Sequence, residues 1–214
     1  MNTIVKWASI IIIICLLLTG CNFHIGDTVI YNNNVYVEIK GWYLAKDEKI
    51  LEPAWIGYKD DLGKKIKNNV EVEFLKSDDK KLALRYYGDF WDEKYFLRKN
   101  IKLPKLYSDN LERIVFYSEN KKITMTGEDV IIFKNFLWDC FKNSKSLEID
   151  NKAGGSEVAN IELYFKDFPL YYYLGTISRT SSGRLGLESY DLNKSYRPII
   201  IPLVIEEYIL NNLN

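Results

Sequence analysis

Stretches of this chain alternate residue by residue, and that period of two constrains its fold more than any other feature. Val70, Val72 and Phe74 alternate with Glu71 and Glu73, and Leu82, Leu84 and Tyr86 alternate with Ala83, Arg85 and Tyr87. Ile161, Leu163 and Phe165 alternate with Glu162, Tyr164 and Lys166. Successive side chains of an extended chain point to opposite faces. The pattern therefore predicts strands with one face buried and one wet.

The chain reads as two blocks. The first, residues 26–103, is mostly β. Thr28–Tyr31 and Val35–Ile39 are rich in Val, Ile and Tyr and flank Asn32-Asn33-Asn34. Asn tolerates the left-handed conformation that tight turns need, so a hairpin is expected there. Lys76–Lys81 supplies the turn between the Val70 and Leu82 strands, Tyr95-Phe96-Leu97 offers another short strand, and Asp60–Lys67 reads as a polar loop. Between Ile101 and Asn110 the pattern breaks at Pro104, Ser108, Asp109 and Asn110. This boundary is either a linker or a long connection within one domain.

The second block, residues 111–214, reads as α+β. Leu111–Tyr117 and Lys122–Thr126 make a hairpin around Ser118-Glu119-Asn120-Lys121. Thr126 and Asp129 stand at capping-box spacing, which predicts a helix starting at Thr126. Val130, Phe133, Leu137 and Phe141 give that helix one apolar face. Beyond the polar loop Ser144–Ser156, strands are expected at Ile161–Phe165, Leu170–Ile177 and Arg184–Tyr190, and Pro202 suits the first turn of a final helix through Leu213. The order β-β-α-β-β-β-α is most economically built as an antiparallel sheet with helices packed on one face. The expected fold class is α+β, a β-rich N-terminal block followed by that sheet.

Ahead of both blocks, Lys6 precedes the apolar run Trp7–Leu18, and Leu18-Thr19-Gly20-Cys21 closes it. The run has the size of a signal-peptide core and is too short to cross a bilayer, which needs roughly 20 residues. This arrangement resembles that of bacterial lipoprotein precursors. The resemblance implies that residues 1–20 are a signal peptide and that Cys21 is acylated and becomes the first mature residue. Residues 21–25 then form a lipidated tether. Each buried methylene contributes about 0.8 kcal/mol, so two or three acyl chains hold far more firmly than one. The expected location is the extracytoplasmic face of the cell membrane, with the membrane as partner. Asn22 in place of Asp does not favour inner-membrane retention under that family's sorting pattern.

On this reading Cys15 leaves with the leader and Cys21 carries lipid. Cys140 then has no intramolecular disulfide partner, despite an oxidising compartment. Stability falls to the core, and Cys140, beside Phe141, is expected to be a small buried hydrophobe. Lys plus Arg and Asp plus Glu balance at 29 each, which argues against a nucleic-acid partner.

His24 is the only histidine and lies in the tether. A Ser-His-Asp triad, a Cys-His pair or a His-based zinc site has little to build on. No Gly-x-Ser-x-Gly elbow, P-loop or dinucleotide fingerprint occurs. Asp60-Asp61, Asp78-Asp79 and Asp92-Glu93 are neighbours in polar stretches, whereas a glycosidase needs carboxylates on facing walls of a cleft. Gly154-Gly155-Ser156 reads as a flexible loop and Ser181-Ser182-Gly183-Arg184 as a hairpin turn. No catalytic residue, metal ligand or cofactor is expected, and the chain reads as a non-enzyme.

Aromatic residues remain. Tyr171-Tyr172-Tyr173 lies on a predicted strand beside the one that carries Tyr164, so Tyr171 and Tyr173 face one way and Tyr172 the other. Trp42, Tyr43, Trp55, Tyr58, Tyr86, Tyr87, Trp91 and Tyr95 crowd the first block. Tyr and Trp give large contact area at low entropy cost. Tyr164, Tyr171 and Tyr173 are therefore the candidate ligand-binding residues. The alternative is that these rings fill the core. Arg179, Arg184 and Arg197 either rim such a surface or solvate turns.

Ile30-Tyr31-Asn32-Asn33-Asn34-Val35-Tyr36, followed by Trp55-Ile56-Gly57-Tyr58, is similar to a hairpin and following strand of lantibiotic immunity lipoproteins. These are small lipobox-anchored proteins that bind the producer's own peptide outside the membrane. The similarity falls within residues 26–60 and carries over no functional residue, and Cys140 departs from the family's pattern. The expected function is a non-catalytic lipoprotein that binds a peptide, protein or envelope ligand, with peptide immunity as one specific version. The alternatives are an envelope hydrolase with a Ser/Lys or carboxylate site and a scaffolding lipoprotein with a large exposed apolar patch.

Overall fold

A computed structural model describes residues 28–44, 51–59, 65–75, 78–87, 93–142, 147–150, 155–189, 191–192 and 197–213, with only the backbone course for 44, 51–59, 65–70, 75 and 87. The expected signal peptide, the tether with Cys21 and His24, and Asp60, Asp61, Trp91, Asp92 and Gly154 lie outside the described residues.

The first block contains β1 (Thr28–Tyr31), β2 (Asn34–Ile39), β3 (Trp42–Leu44), β4 (Leu51–Lys59), β5 (Lys65–Leu75), β6 (Ala83–Tyr87) and β7 (Glu93–Arg98). All but β3 close into an antiparallel barrel in the order β1-β2-β7-β6-β5-β4. Asn32 (φ 43°) and Asn33 (φ 62°) both take the left-handed conformation, the geometry of a two-residue hairpin turn whose twist matches the flanking strands. Described side chains pack inside the barrel. Val29, Tyr36, Val72, Phe74, Leu84, Tyr86 and Phe96 form its interior cluster, as expected for a barrel with few strands. Asp78 organises the β5–β6 turn: its Oδ2 accepts the backbone N–H groups of Leu82 (2.6 Å) and Ala83 (3.1 Å).

The second block contains β8 (Leu111–Tyr117), β9 (Lys122–Thr126), α1 (Glu128–Lys142), β10 (Glu157–Phe165), β11 (Leu170–Arg179), β12 (Leu185–Glu188), β13 (Ile199–Ile200) and α2 (Leu203–Leu213). The strands form an antiparallel sheet in the order β13-β12-β11-β10-β8-β9, and β3 joins it on β11 beside β12. The fold is α+β and β-rich, as expected. Thr126, however, does not start the helix. It ends β9 opposite Arg113, and Gly127 at φ +62° turns the chain into α1, a conformation that glycine adopts at no steric cost.

Both helices pack on one face of the sheet. Val130, Phe133, Phe136, Leu137 and Cys140 of α1 and Ile205 and Ile209 of α2 join Ile114, Phe116, Met125, Ile161 and Leu163 in one core. Cys140 is a free thiol, 3% exposed, and burial pushes its pKa up to about 12. Trp42 ties the barrel block into the same core. It pairs with Tyr172 across β3 and β11, and its ring lies 5.1 Å from Tyr172, 5.4 Å from Phe165 and 5.5 Å from Phe168. Gly41 (φ +77°) makes this approach possible, since a Cβ there would stand 3.0 Å from the Tyr172 ring. Among the described residues, no helix is long and apolar enough to cross a membrane.

The expectation of a wet second face fails on β10. Glu162 is 8% exposed and Tyr164 5%. The cause is long-range: β3 and the barrel strand β7 stand against this face, with Tyr43 stacked on Tyr171 and edge-on to Tyr95. Periodicity along one strand reports the two faces, not what later covers them.

Candidate ligand-binding cleft

A cleft of about 760 Å³ lies where the barrel meets the sheet. Tyr43 of β3 and Glu93 and Tyr95 of β7 form one wall. Tyr117, Lys122, Asn160, Glu162, Tyr171 and Tyr173, from β8 to β11, form the other.

A register shift builds the sheet wall. Ile161 pairs with Gly175, but the next residue, Glu162, pairs with Tyr173, so β11 carries one extra residue at this point. A bulge of this kind re-aims side chains. It brings Tyr173 and Thr176 to the same side, where both hydroxyls meet Asn160: Tyr173 donates to Oδ1 at 2.7 Å and Thr176 at 3.0 Å. The Asn160 amide in turn donates to Glu157 at 2.6 Å.

The rings form a column. Tyr164 stacks on Tyr171 (centroids 5.3 Å apart, 21°), Tyr171 on Tyr43 (5.4 Å, 24°), and Tyr43 meets Tyr95 edge-on at 5.0 Å. Arg113 caps the Tyr164 end, its guanidinium carbon 4.3 Å from the ring centroid. At the mouth, the Lys122 ammonium stands 5.1 Å from the Tyr117 ring. Cations are drawn to ring faces by the aromatic quadrupole.

Two carboxylates face this space. Glu93 accepts from Arg85 (3.1 Å) and from the Tyr95 hydroxyl (2.5 Å). Glu162 accepts from the Tyr164 hydroxyl at 2.8 Å, and the Tyr117 phenol is a near neighbour of Glu162, Tyr164 and Lys122. Burial raises the phenol pKa of Tyr43, Tyr95, Tyr117, Tyr164 and Tyr171, and the Glu162 carboxylate raises that of Tyr164 and Tyr171 further. At neutral pH these phenols are therefore uncharged. They offer O–H donors and ring faces rather than phenolate bases or nucleophiles.

Of the three candidate tyrosines, the cleft brings two together: Tyr171 lies in its floor, 3% exposed, and Tyr173 stands at its mouth, 37% exposed, whereas Tyr164, 5% exposed, lies behind Tyr171 and lines the smaller cleft beside Arg113 instead. Tyr172 points the other way into the helix-side core. Asn160 and Glu162 are not singled out by the sequence, and Glu93 enters there only as half of the Asp92-Glu93 pair in a polar stretch, whereas it stands at the start of β7 and faces the cleft. Glu162 stands at a polar position in an alternating strand and reads there as solvent-facing. Arg184 does not rim the cleft. It pairs with the buried Glu206 of α2 at 2.6 Å and donates to the Ile201 carbonyl at 2.9 Å. Arg179 donates to the Gly183 carbonyl in the β11–β12 turn.

A smaller cleft of about 400 Å³ lies between the β5–β6 turn and the β10–β11 turn, lined by Asp78, Asp79, Arg113 and Asp167 among others. Its buried carboxylate, Asp78, is occupied with backbone donors, and Arg113 is committed to the Tyr164 ring. The larger cleft is therefore the better candidate. Among the described residues, no group of three or more His, Cys, Asp and Glu is placed to hold a metal ion. Set against known proteins, the chain matches no family model, no curated protein and no solved structure.

Proposed function

We propose that this protein is a non-catalytic extracytoplasmic lipoprotein, held to the membrane through Cys21, that binds a peptide, protein or envelope ligand in the barrel–sheet cleft. The carrying observation is the cleft itself: an aromatic floor of Tyr171 and Tyr95, with the hydroxyl-bearing ring of Tyr173 exposed at its mouth. Concave, mostly aromatic sites with a few placed polar groups are the usual form of ligand pockets. The uncharged phenols suit recognition better than proton transfer near neutral pH. The leader Leu18-Thr19-Gly20-Cys21 supports the location.

A second reading, a scaffolding lipoprotein, draws on a different surface. Trp138 and Phe141 of α1 are 48% and 38% exposed and gather around Tyr107 at 5.1 and 5.5 Å. One experiment separates the two. With the full chain expressed in a bacterial envelope, p-benzoylphenylalanine replaces Tyr173 in one variant and Trp138 in another. Light-dependent adducts from position 173 are expected. Adducts from position 138 alone would favour the scaffold, and none from position 173 would overturn the cleft reading. Cys21→Ala is expected to abolish lipid labelling, and a normally labelled variant would overturn the anchor. A turnover on any peptide, glycan or lipid, lost on changing one Ser or Lys, would overturn the non-enzyme reading.

A further inference from the structure

Glu162 is the unusual member of the cleft. It is 8% exposed and lies within a paired strand. Its donor is a phenol, the Tyr164 hydroxyl at 2.8 Å. Among the described residues, no Lys or Arg forms an ion pair with it. Glu93, by contrast, has Arg85 at 3.1 Å. A carboxylate taken out of water is costly unless a counter-charge or several hydrogen bonds compensate it. The rings around Glu162 offer faces that attract cations, and the chain's own side chains already use two of them, Lys122 over Tyr117 and Arg113 over Tyr164. A neutral ligand would stack on these rings and leave Glu162 without a counter-charge. An anion would be repelled by it.

Resting on the cleft-binding reading above, we infer that the barrel–sheet cleft takes a primary ammonium group on an alkyl chain, with the ammonium at Glu162 and the chain against the tyrosine rings. A primary ammonium carries three N–H donors. Glu162, the Tyr117 hydroxyl and the Tyr173 hydroxyl stand around one cleft to accept them. A quaternary ammonium would use the rings and forgo the hydrogen bonds. Lys122 at the mouth is the nearest internal analogue of such a ligand and competes with it electrostatically.

The test is calorimetric titration of the full chain, in an uncharged detergent, with n-butylammonium chloride. Saturable binding is expected, with affinity at least about tenfold weaker for n-butanol and for tetramethylammonium, the scale of one desolvated cation contact. Glu162→Gln keeps an acceptor for the Tyr164 hydroxyl and is expected to weaken binding about tenfold or more while melting near the wild-type temperature. If that variant does not fold, Lys122→Gln decides: removing the competing charge is expected to tighten binding about threefold. No binding of n-butylammonium, equal affinity for n-butanol or tetramethylammonium, or unaltered affinity in a folded Glu162→Gln or Lys122→Gln variant would overturn the inference. Adducts from position 173 that persist alongside such a failure would leave the cleft standing with another ligand chemistry, whereas loss of both would sink both.

Discussion

At its centre the sheet is buried on both faces, yet the two are built from different chemistry. Toward α1 and α2 the sheet presents Ile114, Phe116, Ile161 and Leu163, each 0% exposed. Toward the barrel it presents Glu162, Tyr164 and Tyr171, 8%, 5% and 3% exposed. The helix face is stabilised by apolar area and close packing, with little that depends on direction. The barrel face depends on stacked rings and on each hydroxyl or carboxylate finding a partner. A face of the second kind is sensitive to small displacements, because each one leaves a buried polar group short of a partner.

The largest effect should come from the helix face. Phe133, 0% exposed, sits 6.0 Å from the Phe116 ring and 5.7 Å from Phe136. Phe133→Ala is expected to lower unfolding free energy by about 3–5 kcal/mol, read by urea denaturation. A loss below about 1 kcal/mol would mean that α1 does not pack as described.

Alkaline pH should act on the barrel face. Burial raises the phenols of Tyr95, Tyr164 and Tyr171 well above their ordinary 10.0, and in the barrel interior it raises Tyr36 to about 12. A group whose folded pKa is raised contributes stability in full below its unfolded value and loses it as pH climbs through the folded value. Stability should therefore be intact up to about pH 10 and fall above it. Phenolate absorbance and circular dichroism should change together. Ionisation of most tyrosines near pH 10 in a still-folded chain would contradict this.

Hydroxyl deletions sharpen the comparison within the barrel face. Tyr164→Phe takes the 2.8 Å donor from Glu162 and is expected to cost about 1–3 kcal/mol, the range for leaving a buried polar group short of a partner. Phe133→Leu, on the helix face, removes no polar partner and is expected to act through packing alone, so its cost should not change with pH. The smallest effect belongs to Tyr173→Ala at the mouth, expected to shift stability by less than about 0.5 kcal/mol while reducing envelope binding. Equal destabilisation by Tyr173→Ala and Phe133→Ala would erase the distinction between mouth and core.

Much of this architecture is legible in the sequence where it is local. Val70 to Phe74 and Ile161 to Phe165 alternate as strands do, Asn32-Asn33 marks its turn, and the α1 periodicity places Val130, Phe133 and Leu137 on the buried face, although Phe141, read onto the same face, is 38% exposed. What was not legible depends on distant pairing. Trp42–Leu44 is too short to announce a strand, and its partner is β11. Closure of the barrel rests on Val29 and Ile30 pairing with Tyr58 and Gly57, a register that no periodicity encodes. Glu162 and Tyr164 read as wet because their strand alternates, but Tyr171 and Arg113 sandwich the Tyr164 ring, and Tyr43 and Tyr117 pack against the same cluster. The cleft was half visible: the tyrosines stood out by number, whereas Glu162 looked like any solvated carboxylate.

Tyrosine nitration with tetranitromethane, mapped by mass spectrometry on the folded full chain, tests most directly whether the barrel closes this tyrosine face into a cleft. Tyr173 is expected to react readily, and Tyr164 and Tyr171 are expected to stay protected until the chain is unfolded. Reaction of Tyr164 and Tyr171 at the rate of Tyr173 in the folded protein would contradict the account, because the face would then be an open sheet surface.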